Sequence, residues 1–363
     1  MSGRPTVVAS ALADADARAF VHVGDRSDPT LRYLVGFDGP ASEFAYVHVD
    51  HPVVCVPPAY EGRARQSLDG VDVRALDGPA GLAARTVLDD ALDPPCAVLT
   101  PRHLPHDAAV YLESGGYDLA STTAVGDARA VKSEAELARH RAAQSGAERA
   151  MAAVAEALST ADRAADELHA DGDPLTPERL RRVANVAIAE AGLADDGNTV
   201  IRRRAGAASA PIRPTELLTV AVAPRDPAGY HGVLARTFVA ESDGGWERRA
   251  AVAVDASRRV GVDTADPGTD ARFVREEATA ELGSFGLSPV AAVPELPVVA
   301  RGVGLSLDES PDFDSEAPLD PGNVFALAPA VSGERGVVGT ADLAVVGDDG
   351  AELVGSFPTS LSP

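Results

Sequence analysis

The segment "RGVGLSLDESP" (301–311) places an arginine, a run of small and apolar residues and the acid Glu309 on one short stretch. Arg301 supplies a permanent cation whose planar fork matches a carboxylate, and Glu309 supplies a carboxylate of its own. The segment "GYHGVLARTFV" (229–239) adds Tyr230, His231 and Arg236. Read as a strand, it turns Tyr230, Gly232 and Leu234 to one face and His231, Val233 and Ala235 to the other. Tyr230, His231, Arg236, Arg301 and Glu309 are therefore the candidates to line a binding cleft. Each also has a plainer reading: a satisfied core histidine, a solvated acid, or an arginine leaving the end of a strand. No residue is assigned a catalytic role.

Other chemistries find less support. Cys55 and Cys96 sit in the apolar runs "PVVCVPP" and "CAVLTP", read as buried strands with inert thiols, and no C-x-x-C occurs. His51, His103 and His106 have no His or Cys partner at ligand spacing. The acidic "DESPDFDSE" lacks the glycine and the terminal glutamate spacing of a calcium loop, and Pro311 interrupts it. Arg202, Arg203 and Arg204 could hold an anion, but a salt-bridged face is expected in so acidic a chain. There is no G-x-S-x-G, phosphate loop or dinucleotide fingerprint. Neither a metal nor another cofactor is expected.

The elements that would position these residues come from a chain of 363 residues, long for one core and suited to two domains. Its formal net charge is -23, and Lys132 is the only lysine. Such acidity argues against a nucleic-acid partner, because phosphate contacts need clustered cations. The composition resembles that of proteins adapted to high salt, whose carboxylates keep the surface hydrated. No apolar run approaches the ~20 residues of a membrane span, and the N-terminus lacks the pattern of a signal peptide. The cytoplasm is the expected location.

A smaller α/β domain is expected over residues 1–128, with strands at "AFVHV", "RYLVGF", "FAYVHV", "HPVVCV", "DVRAL", "CAVLTP" and "DLASTT". A second domain, 129–363, opens with a long helix whose capping box is Ser133 with Glu136. After the polar stretch "TADRAADELHADGDPL", a second helix starts at Thr176 and Pro177. Strands, two further helices and more strands follow, an internal near-repeat of ααβ units.

This order resembles the pita-bread metallopeptidases: aminopeptidase P, prolidase, methionine aminopeptidase and creatinase. The segments that carry the resemblance are "RYLVGFDGP", "AVKSEAELARHRAAQSGAERAM", "GYHGVLARTFV", "RGVGLSLDESP", "LDPGNVFALAP" and "GTADLAVVGDDGAELV", in the family's order. The resemblance implies an α/β pita-bread fold behind a creatinase-type N-terminal domain. It also implies where two bridged metals would be held. The family's two aspartates fall on Val222 and Val233, its histidine on Arg301, and its two glutamates on Ala328 and Ala341. Two assisting histidines fall on Ile212, in "GAASAPIRP", and on Asp308. None of the five ligand positions can bind a metal.

The expectation is thus a degenerate relative that binds a peptide, a small molecule or a partner protein, with a homodimer left open. The competing reading is an Xaa-Pro hydrolase of the aminopeptidase P or prolidase type. Val222 and Val233 are expected to fill the vacated site, with Arg301 paired to Glu309 or to a ligand carboxylate.

Overall fold

The computed structural model describes residues 4–363, and the chain divides into two compact units, Met1–Arg129 and Ala130–Pro363. The first unit runs α1 (Arg4–Asp14), β1 (Ala19–Gly24), α2 (Pro29–Val35), β2 (Phe44–His48), β3 (Pro52–Val56), α3 (Pro58–Ser67) and β4 (Asp72–Ala75). It continues with α4 (Ala80–Ala91), β5 (Ala97–Thr100), α5 (His106–Ser114), β6 (Asp118–Ser121) and α6 (Ala124–Ala130). Its six strands form one mixed sheet in the order β4-β3-β2-β1-β5-β6. Val21 and Val23 of β1, Val53 and Cys55 of β3, and Leu88 and Leu112 from α4 and α5 make its core.

One expected strand is a helix. "RYLVGF" reads as extended by its aromatic and β-branched residues, but residues 29–35 form α2. The signals that start it lie just ahead of that window, and the one that ends it lies within it. The Asp28 side chain accepts the Leu31 N–H, Pro29 opens the first turn, and Gly36 ends it at φ 69°.

The second unit begins with α7 (Glu134–Ser159), β7 (Asp162–Ala164), β8 (Glu167–Ala170), β9 (Asp173–Pro174), α8 (Pro177–Glu190) and β10 (Thr199–Arg202). Then come β11 (Leu218–Val222), β12 (Leu234–Phe238), α9 (Trp246–Thr264), α10 (Ala271–Ser284), β13 (Val299–Gly302) and β14 (Val324–Ala328). β15 (Ala330–Gly333), β16 (Gly336–Gly339), β17 (Ala341–Gly347) and β18 (Gly350–Leu353) complete it. The Glu136 carboxylate accepts from both the Ser133 N–H and its hydroxyl, at 2.9 and 2.7 Å, and so fixes the start of α7. The polar stretch after α7 is a small sheet, β7-β8-β9, which Leu168 anchors in the core beneath.

A seven-stranded sheet, β10-β11-β12-β17-β14-β13 with β18 beside β17, is the frame of this unit. One face packs on α7 and α8 through Val220, Val222 and Leu234 against Met151, Leu180 and Ile188. The same side, further along, packs Leu327, Ala344 and Val346 against Val274 and Ala278 of α10. The other face carries Ala221, Val233, Ala235, Ala326, Ala328 and Ala341 and is closed by Val293, Leu296 and Val303. No helix among the described residues is long and apolar enough to cross a membrane.

Candidate functional site

The inner face of the large sheet is where most of the residues singled out by their sequence positions converge. Val233, Ala328 and Ala341 all lie on it with no exposed surface. Ala341 stands directly across from Ala235, and Arg301 directly across from Ala326, so Arg301 borders the same face. Val222 does not join them. It pairs with Leu234 and packs with it on the helix side, while Ala221 and Ala223 share the face of Val233. Side chains alternate along a strand, so a shift of one residue changes the face. The expected partnership of Val222 with Val233 therefore does not form, and Ala221 and Ala223, each with only a methyl group, share the face of Val233 instead.

Residues 230–233 lie ahead of β12 and are fastened to α7. Gly232 is the reason that α7 can come so close: a Cβ there would stand 2.6 Å from the Ala143 carbonyl carbon. Around that contact Gln144 accepts the Val233 N–H at 2.8 Å, and the Tyr230 hydroxyl donates to Glu136 Oε1 at 2.5 Å. His140 donates from Nδ1 to the His231 carbonyl at 2.7 Å, and its ring meets that of Tyr230 edge-on at 5.2 Å. Burial drives the His140 pKa down to about 3, against the opposing pull of its bond to the His231 carbonyl. Burial likewise lowers the His231 pKa, and that ring stands 3.5 Å from the Ala223 carbonyl. Both imidazoles are neutral at pH 7. Tyr230 and His231 are thus buried, hydrogen-bonded residues held beside α7.

Glu309 and Arg301 do not pair. Glu309 Oε1 accepts the N–H groups of Leu305 and Ser306 at 2.9 and 3.2 Å. Its other oxygen lies 3.6 Å from Nζ of Lys132, the sole lysine, with both side chains buried. Gly304 makes room for this carboxylate, since a Cβ there would stand 2.1 Å from Glu309 Oε2. Arg301, a third exposed, instead has its Nε 3.7 Å from Asp308 Oδ1 at the surface. The expected Arg301–Glu309 pair fails because loop amides and Lys132 already hold that carboxylate.

Arg236 belongs elsewhere. It stands across from Val220, on the helix side of the sheet, and is fully buried. Its guanidinium grips Asp342 with two contacts of 2.7 and 3.3 Å and donates to the carbonyls of Phe357 and Pro358. It clamps the C-terminal segment and does not reach the cleft. Asp342, beside Ala341, is consumed by that clamp. Ile212 is buried against the hairpin, exchanging backbone hydrogen bonds with Leu168 and Leu175. Of the three consecutive arginines, Arg203 holds Glu216 through two contacts of 2.7 and 2.8 Å, and Arg202 donates to the Ala291 and Ala292 carbonyls. These two form the salt-bridged, hydrogen-bonded face expected of an acidic chain.

The first unit contains a cluster that spacing did not reveal. His22 on β1, Asp28 at the start of α2 and His103 on the loop after β5 offer donor atoms within 4.8 Å of one another. Asp28 Oδ2 lies 2.9 Å from His22 Nε2 and 3.2 Å from His103 Nε2. His103 has partners after all, but they are distant in sequence. The parallel pairing of β1 with β5 is what joins them.

The model of metallopeptidase family M24 matches residues 138–348, more than half of the chain. Among solved structures, a prolidase from Pyrococcus horikoshii OT3 superimposes with a TM-score of 0.82 at 16% identity, covering 99% of this chain and 100% of that one. An Xaa-Pro dipeptidase from Bacillus anthracis gives a TM-score of 0.83 at 15% identity, covering 99% and 98%. The dipeptidase PepE from Mycobacterium ulcerans gives 0.81 at 21% identity, covering 99% and 96%. A search of curated proteins finds no match. The mixed α/β architecture is the pita-bread fold, preceded by a smaller α/β N-terminal domain. This chain belongs to metallopeptidase family M24.

Proposed function

We propose that this chain is a non-catalytic member of its family, which binds a peptide, a small molecule or a partner protein without dinuclear metal chemistry. The donor set carries the reading. Two bridged divalent ions, ~3.5–4 Å apart, need a ring of carboxylates and an imidazole. The positions that would supply them are Val233, Ala328, Ala341 and either Ala221 or Ala223, all alkyl and buried. The remaining position is Arg301, whose fixed charge repels a divalent cation. The residues present do not fit a metal pair, and no hydrolytic step is derived through one.

The second reading is an Xaa-Pro hydrolase. It is favoured by overall likeness, since the structural neighbours are described as a prolidase and an Xaa-Pro dipeptidase. Position by position, the inner face favours the first. The formal charge of -23 disfavours a nucleic-acid partner, and we place the protein in a salt-rich cytoplasm, away from membranes. A homodimer is compatible with this reading.

Equilibrium dialysis against Mn2+ or Co2+, followed by elemental analysis, tests the proposal. The expected result is no metal pair in the second unit. Retention of about two ions per chain, unchanged when His103 is replaced by alanine, would overturn it.

A further inference from the structure

We propose that His22, Asp28 and His103 form a binding site for one divalent transition metal of the Zn2+ class. The site lies in the first unit and is independent of the reading given above for the second. It sits beyond the carboxyl ends of the parallel strands β1 and β5, where open α/β sheets form their binding crevices. β1 supplies His22 near its end, the turn after β1 supplies Asp28, and the loop after β5 supplies His103.

The geometry is that of a ligand set. Donors sharing a metal at bonds of about 2.0–2.1 Å lie about 3.0–3.4 Å from one another. The two carboxylate-to-imidazole edges, 2.9 and 3.2 Å, are already of that size. The rings of His22 and His103 stand nearly perpendicular, with centroids 4.7 Å apart, so their Nε2 atoms converge on one carboxylate oxygen. Asp28 is held in place by the rest of the fold. Its other oxygen accepts the Leu31 N–H at 2.7 Å, and Gly24 makes space for it, since a Cβ there would stand 3.0 Å from Asp28 Cβ.

The donor chemistry selects the ion. Two imidazoles and one carboxylate suit Zn2+ and its neighbours, whereas Ca2+ and Mg2+ prefer oxygen. His22 is fully buried, but the His103 side chain is 54% exposed, which leaves the site open to solvent on one side. Three protein donors with one open position is an arrangement that can hold a further ligand. A neutral ring that binds metal through Nε2 carries its single proton on Nδ1, so a proton that Nε2 donates to Asp28 has to move to Nδ1 by way of solvent as the metal enters. His22 Nδ1 is buried without a partner among the described residues, so no protein donor holds that nitrogen unprotonated.

The test is Zn2+ titration of chelator-treated, full-length protein by calorimetry at pH 7.5, alongside His103→Ala and Asp28→Asn. His103 is exposed, so its removal leaves the core intact, and asparagine retains the capping role of Asp28. The expected result is one Zn2+ per chain in wild type and at least a tenfold loss of affinity in each variant. Absence of binding by wild type, or undiminished affinity in either variant, would overturn the proposal.

Discussion

His140 shows what a single buried side chain contributes to this fold. Its ring is 1% exposed and lies between α7 and the segment that leads into β12, where it holds the His231 carbonyl. Burial lowers its pKa to about 3, whereas the unfolded chain titrates near 6.5. Above pH 6.5 the group is neutral in both states and has no effect on the balance. Below it the unfolded state binds the proton first, so stability falls as the pH drops towards the folded value. Between pH 7.5 and 5 the loss from this group is about 2 kcal/mol, and the lowered pKa of His231 adds to it in the same direction. Urea denaturation of wild type and His140→Gln over that range should show a shallower dependence on pH in the variant. Parallel curves would mean that His140 is not the titrating group.

At the level of elements, the sequence was legible wherever a signal lay inside the segment it governed. The capping box of Ser133 and Glu136 and the Thr176–Pro177 start of α8 both appear in place. The helix α2 is not legible in its own window because the residues that start it, Asp28 and Pro29, precede a stretch that reads as strand. Val222 does not pack with Val233 because an eleven-residue spacing does not fix the pairing register. The even register of β11 with β12 puts Val222 with Leu234 and turns it to the helices. Alternation puts Arg236 on the face of Leu234, opposite Val233, but its partner Asp342 lies on a strand more than a hundred residues away, so its role as a clamp is not legible locally. The His22–Asp28–His103 cluster was invisible for a related reason. Its members are joined by the parallel neighbour relation of β1 and β5, which no local spacing records. By contrast, the alkyl character of the inner face could be read directly, since Val233, Ala328 and Ala341 all fall where strand alternation delivers them inward.

The whole molecule carries a formal charge of -23, and many of its arginines are already spent on local partners such as Glu216, Asp342 and Glu247. The surplus carboxylates repel one another across the surface, and salt screens that repulsion over about 10 Å at 0.1 M and about 3 Å at 1 M. The melting temperature should therefore rise by several degrees between low-salt buffer and multimolar KCl. A flat response would show that the acidity has no energetic role in solution. The largest consequence of the proposal concerns chemistry: the inner face of a peptidase-family fold is an apolar core and should support no hydrolysis. Hydrolysis of an Xaa-Pro dipeptide and an Xaa-Pro-Xaa tripeptide by the full-length protein, in high salt with Mn2+, Co2+ or Zn2+, measures this most directly. The account predicts rates equal to those of the protein-free control under every metal condition. Chelator-sensitive cleavage at about 1 s⁻¹ or faster, within the ordinary range of enzymes, would contradict it.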